Sequence, residues 1–201
     1  MQTRTYQTLF NLVKSLAGVN SFTTEEEGYI LNFTNRRFKE AYDSSEFWGR
    51  YLVVGESRTI NSSNVVPFTE SSKTTIGDFL RIHRTEPFQR QSAIEYDFYV
   101  TESGAHVMNP VGSTSSAVFV TYKKQVPEIT VESNIPLEFY YFIAHAVYAD
   151  FLRMDGQTEK AILEEQIAKG FLDDELGKLD NIYNNNSIGK KISTYVNRSS
   201  R

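Results

Sequence analysis

The spacing of apolar residues changes twice along this chain, and those two changes constrain its fold more than any other feature. As far as about residue 49, apolar side chains recur every three or four positions, as on one face of a helix. From Arg50 to about residue 128 they fall in short runs rich in β-branched and aromatic residues, broken by stretches such as NSSN, ESSK and NPVGSTS. After Ser133 the helical spacing returns. The order predicts an α+β fold. A helical bundle takes residues 1–49 and 129–183, an antiparallel β insertion takes 50–128, and 184–201 form an extended C-terminal arm.

The helical segments carry their own punctuation. Tyr6, Leu9, Phe10, Val13, Leu16 and Ala17 make one apolar face, and Gly18 stops it. Thr24 with Glu27 three residues on reads as a capping box, and Glu25 and Glu26 add charge that a helix N-terminus favours. That helix should run to about Asp43, with the EEE run as a charged first turn and not a cation site. Trp48, the only tryptophan, is expected to be buried together with Phe38, Tyr51 and the helix that Pro136 begins. That helix ends at Gly156. The next begins at Thr158 and is expected to turn Leu163, Ile167, Phe171, Leu172, Leu176 and Leu179 toward it, the pair forming an antiparallel hairpin across the DGQ turn.

Composition removes several classes of function. The chain has no Cys, which excludes disulfides, thiol catalysis and zinc–thiolate sites. No apolar run approaches the roughly 18 residues of a membrane span, and no signal-like segment opens the chain, so a soluble protein made in the cytoplasm is expected. Its formal net charge is −4, and the last 18 residues hold four cations and no acid, so the rest is more acidic still. An acidic body argues against nucleic-acid binding as the main task. GxGxxG, GxxxxGK[ST], GxSxG and HExxH are all missing. His83, His106 and His145 stand far apart, and Asp173, Asp174 and Glu175 read as a solvated helix face. Arg36, Arg37 and Lys39, with Arg81, Arg84 and Arg90, are too sparse for a nucleic-acid platform and are expected to pair with Asp and Glu.

The segment ILNFTNRRFKEAYDSSEFWGRYL has an Asn-containing helix core followed closely by Trp. DFLRIHR, HVMNP, AVFVTYKK, IPLEFYYFIAHAVYADFL and TEKAILEEQIAKGFLDDEL then follow in that order. This arrangement resembles the head-to-tail adaptor proteins of tailed bacteriophages, the neck or connector subunits, over nearly the whole chain. The resemblance implies a structural virion protein and not an enzyme, without metal or cofactor, made in the host cytoplasm and placed at the neck. It implies a ring, commonly of about twelve copies, beneath the portal protein and above a tail or stopper protein. DNA would pass through the channel without specific binding, and no membrane is involved. The flanks of the two N-terminal helices and of the 158–183 helix would meet neighbouring copies. On this reading the arm docks on the portal, with Ile188, Ile192, Tyr195 and Val196 inserted in portal grooves. Lys190, Lys191, Arg198 and Arg201 would face portal acids. The competing expectations are another neck or tail ring, such as a stopper or tail terminator, and a soluble α+β protein with a cryptic enzymatic site.

Overall fold

The computed structural model describes residues 2–87, 95–108 and 117–199, with side chains described as far as Asp180 in the last stretch. In chain order the elements begin β1 (Thr3–Thr5), α1 (Tyr6–Ala17), α2 (Thr24–Asp43), β2 (Leu52–Thr59), β3 (Val65–Pro67) and β4 (Ile76–His83). They continue β5 (Phe98–Thr101), β6 (Gly104–Val107), β7 (Ala117–Lys124), β8 (Asn134–Pro136), α3 (Leu137–Met154) and α4 (Thr158–Ser199). The fold is α+β, with helices and antiparallel sheets. It divides into a helical unit, residues 1–45 with 128–201, and a β unit, residues 46–127.

In the helical unit α3 is the centre. Its buried residues include Phe139, Phe142, Ile143, Val147 and Leu152, distributed around most of the helix. Each such side chain contributes about 1.5–3 kcal/mol through burial. Helix α1 buries the expected Tyr6, Leu9, Phe10 and Val13, and Gly18 ends it with φ 69°. In α2 the capping box is made by Thr23 and Glu26, one residue earlier than expected. The Thr23 N–H donates to Glu26 Oε2 at 2.7 Å, and the Glu26 N–H donates to Thr23 Oγ1 at 3.3 Å. TTEEE offers the S/T-x-x-E spacing in two registers, and the first is the one used. Further along α2, Asn35 donates to the carbonyl of Ile129 at 2.9 Å and accepts its N–H at 2.7 Å, satisfying both backbone groups of a buried residue.

A two-stranded clip, β1 with β8, runs directly into α1 and α3 and fixes their starts. Arg4 pairs with Ile135, and the Tyr6 N–H donates to the Ser133 carbonyl at 2.9 Å. Three-residue strands are too short to show alternation, so sequence pattern does not reveal them.

Helix α4 departs from expectation in two ways. Its seam against α3 is made by Ala161, Ala168 and Leu172, whereas Leu163, Ile167 and Phe171 are 60%, 46% and 37% exposed. Small Ala side chains let two helix backbones approach closely, which displaces the larger residues to the outside. Leu176 and Leu179 are half-buried. The second departure is length: α4 continues to Ser199, past the expected stop at Tyr183, so the expected extended conformation of the arm is corrected to helix through that residue. Asn and Gly cost a helix at most about 1 kcal/mol each, where Pro would cost about 3, and this stretch has no Pro. The spacing of Ile188, Ile192, Tyr195 and Val196 is itself i, i+4, i+7, i+8.

The β unit contains two three-stranded antiparallel sheets, ordered β2-β7-β4 and β3-β6-β5. Both contribute to one apolar cluster that includes Val66, Ile82, Val107, Val118, Val120 and Tyr122. Gly104 has φ 139°, and a Cβ there would lie 2.1 Å from the Val66 carbonyl oxygen, so only glycine permits the β3–β6 approach. Trp48 and Tyr51 are buried, as expected.

Candidate functional site

Among the described residues the densest polar constellation lies in the helical unit around Arg37, which the helical period of α2 places on the buried face beside Thr34 and Phe38. Arg37 Nε and Nη2 donate to the two carboxylate oxygens of Asp150 at 2.8 and 2.7 Å. Its Nη1 and Nη2 also reach Glu165 at 3.0 and 2.8 Å, and Nη1 reaches Glu40 at 2.7 Å. Asp150 receives Arg36 at 2.5 Å and Arg153 at 3.2 Å. Three guanidinium and three carboxylate groups thus join α2, α3 and α4.

Electrostatics identifies this cluster as a clamp. Burial alone would push the Asp150 carboxyl up, but hydrogen bonds from Arg37 and Arg36 outweigh it and hold the group below the usual carboxylate range. Glu165 behaves likewise, burial being overcome by Arg37 and Arg153, and is also lowered. A general acid working near neutrality needs the opposite shift. Among the described residues no group of His, Asp or Glu has the arrangement of a metal site. The sequence expectation of Arg36 and Arg37 paired with acids therefore holds, with a reach across three helices that local spacing does not reveal.

The β unit carries a second buried cation, Arg58, that sequence reading did not single out. Its Nη2 donates to the Thr74 carbonyl at 2.5 Å and the Tyr122 hydroxyl at 2.8 Å and pairs with Glu56 at 2.6 Å, and the guanidinium lies 5.1 Å from the Tyr122 ring centre. Glu56 and Arg58 stand two apart on β2, hence on one face; that alternation was the available signal. Arg58 Nε and Nη1 are buried without a hydrogen-bond partner.

The histidines occupy separate local environments. His145 Nδ1 lies 2.8 Å from Glu164 Oε2, and its ring stacks on Phe171 at 5.3 Å. His106 stacks on Tyr99 at 4.8 Å, and His83 is buried. Arg81 and Arg84 are exposed, as are Asp173 and Asp174, while Arg90 lies outside the described residues.

Among its described residues the helical unit carries an exposed apolar ridge and an apolar cleft. Leu163, Ile167 and Phe171 form an apolar ridge along α4, extended by Tyr141, which stacks on Phe171 at 5.4 Å. An apolar cleft of ≈ 230 Å³ is lined by Tyr6, Phe10, Gly28, Leu31 and Val131, with Glu27 and Gln7 beside them. Burial, and secondarily the charge of Glu27, pushes the Tyr6 hydroxyl up to about 12. The expected portal-binding residues Ile188, Lys190, Lys191, Ile192, Tyr195, Val196 and Arg198 fall on the last turns of α4, and their side chains lie outside the described residues, as does Arg201 altogether. No protein-family model and no curated protein matches the chain. Among the described residues, no helix is long and apolar enough to cross a membrane.

Proposed function

We propose that this protein is a structural subunit of a tailed-bacteriophage head-to-tail junction, an adaptor that forms a ring beneath the portal and lines the DNA exit channel. The observation that carries this reading is the ridge Leu163–Ile167–Phe171, three large apolar side chains left outside a completed helical core. Such a contiguous patch is characteristic of a surface covered on assembly. The order of helices, β insertion and helical hairpin agrees with the adaptor resemblance. The net charge of −4 suits a channel through which DNA slides, since a cationic wall would hold phosphate. The carboxylates of the polar cluster around Arg37 are neutralised by arginine, which favours a structural role over an enzymatic one.

The C-terminal segment is the portal-docking element of this proposal. Its apolar residues have helical spacing, so it docks as an amphipathic helix in a groove, with Lys190, Lys191, Arg198 and Arg201 setting register against portal acids. Truncation after Tyr183 should leave the unfolding temperature of the body unchanged and abolish binding to the portal protein of the same virus. A truncated protein that binds portal at full strength would contradict the docking role.

A further inference from the structure

We propose that the cleft between α1 and α2 is a binding site for a lysine side chain presented by a partner protein, its aliphatic stem against the aromatic wall and its ammonium held by Glu27, Tyr6 and Gln7. The wall is preformed. Tyr6 stacks on Phe10 at 6.2 Å, Phe10 meets Phe22 edge-on at 5.7 Å, and Phe22 meets Phe151 at 5.2 Å, so a chain of ring contacts reaching α3 fixes it. Leu31 and Val131 complete an apolar slot of ≈ 230 Å³, below the roughly 300–1,000 Å³ typical of small-molecule sites and suited to one long side chain.

The polar groups of the cleft select the ligand. Tyr6 is only 5% exposed, yet among the described residues its hydroxyl has no hydrogen-bond partner. A hydroxyl on so buried a ring is favoured to pair with whatever enters the cleft. Glu27 has no ion pair among the described residues, whereas its neighbours are engaged: Glu25 accepts from the Tyr29 hydroxyl and Glu26 from the Thr23 N–H, both at 2.7 Å. Gln7 Nε2 donates to Asn11 Oδ1 at 3.2 Å, which leaves its Oε1 as an acceptor. A carboxylate, a phenol oxygen and an amide oxygen thus line one slot, and three acceptors match the three N–H donors of an ammonium.

Other ligands fit less well. A hydrocarbon side chain would cover the Tyr6 hydroxyl without satisfying it. An acid would meet Glu27 together with Glu25 and Glu26 of the same turn, three charges that exceed the roughly half positive charge of the α2 N-terminus. Of the basic residues close by in sequence, Arg4 lies over the Tyr140 ring and Lys14 stands about two turns beyond Gln7 along α1. Arginine spreads its donors over a flat fork, where an ammonium is compact. Val131, 65% exposed, extends the apolar surface beyond the slot, area that a polypeptide covers and a free amine does not.

The test uses the full chain and acetylated, amidated pentapeptide pools, randomised except at a central residue fixed as lysine, arginine, norleucine or glutamate. Binding is read from the amide shifts of Gly28, Leu31 and Val131 in isotope-labelled protein. The expected result is saturable binding of the lysine pool, roughly tenfold tighter than the norleucine or glutamate pool, as one charged hydrogen bond supplies. Glu27→Gln and Tyr6→Phe keep the size of their side chains and should weaken the lysine pool by about tenfold and about threefold. Asp43→Asn, which removes the same charge at the far end of α2, should stay within about twofold of the parent. Equal binding of the norleucine or arginine pool, an equal loss on Asp43→Asn and Glu27→Gln, or no saturable shift in the millimolar range would overturn the proposal. n-Butylammonium binding as tightly as the lysine pool would overturn the polypeptide source.

Discussion

The helical unit and the β unit each bury an arginine, and the two are accommodated in opposite ways. Arg37 meets acids from three helices and has its guanidinium occupied by Asp150, Glu165 and Glu40. Arg58 relies on one nearby acid, one tyrosine and one carbonyl, with two donors unmatched. The difference shows that a buried charge binds a fold together when its partners come from distant elements. Where they come from its own strand, the adjacent strand and a nearby loop, the charge is a local cost offset by packing.

The largest effect should come from the first clamp. Arg37→Ala leaves Asp150 buried and short of its bidentate partner, and should destabilise the protein by about 3–5 kcal/mol in chemical denaturation. A cost near that of an ordinary surface substitution would remove the distinction between the two units. Acid should act on the same clamp. Asp150 and Glu165 are held below their ordinary carboxylate values in the fold, so the unfolded chain binds more protons as pH falls through that range. Their stabilisation is therefore present above those values and lost as pH drops through the folded ones. Thermal unfolding followed by helical circular dichroism should show this acid limb, and Arg37→Ala should flatten it.

Smaller effects sharpen the contrast. Arg58→Met removes the unmatched donors while keeping much of the stem's volume, and should change stability by no more than about 1 kcal/mol in either direction. A loss as large as that expected for Arg37→Ala would show that Glu56 and Tyr122 hold the β unit as tightly as the acids hold the helices. Ile167→Ser alters an exposed position and should shift stability by only about 0.5 kcal/mol. It should nonetheless weaken assembly, read as loss of high-mass species in sedimentation.

Much of the helical unit was legible because its signals are local. Gly18 and the apolar face of α1 needed only neighbouring residues. The capping box was one residue off because Thr23 and Thr24 both offer the motif. The α4 seam was not legible: Leu163, Ile167 and Phe171 dominate any count of hydrophobicity, and Ala161 and Ala168 win through small size. Helix continuation to Ser199 was hidden by Asn and Gly, which weaken a helix without ending it. Arg37 looked like any surface cation because Asp150 stands 113 residues away. Gly28 lines the α1–α2 cleft, and sequence pattern records it only as a blemish in a helix.

The proposed closure of this chain into a ring at a phage portal is tested most directly by the mass of the particle that it forms with the portal protein. Electron microscopy or native mass spectrometry of the mixture should show closed rings of a single copy number seated on the portal. Isolated monomers or twofold dimers, with portal rings intact beside them, would contradict it.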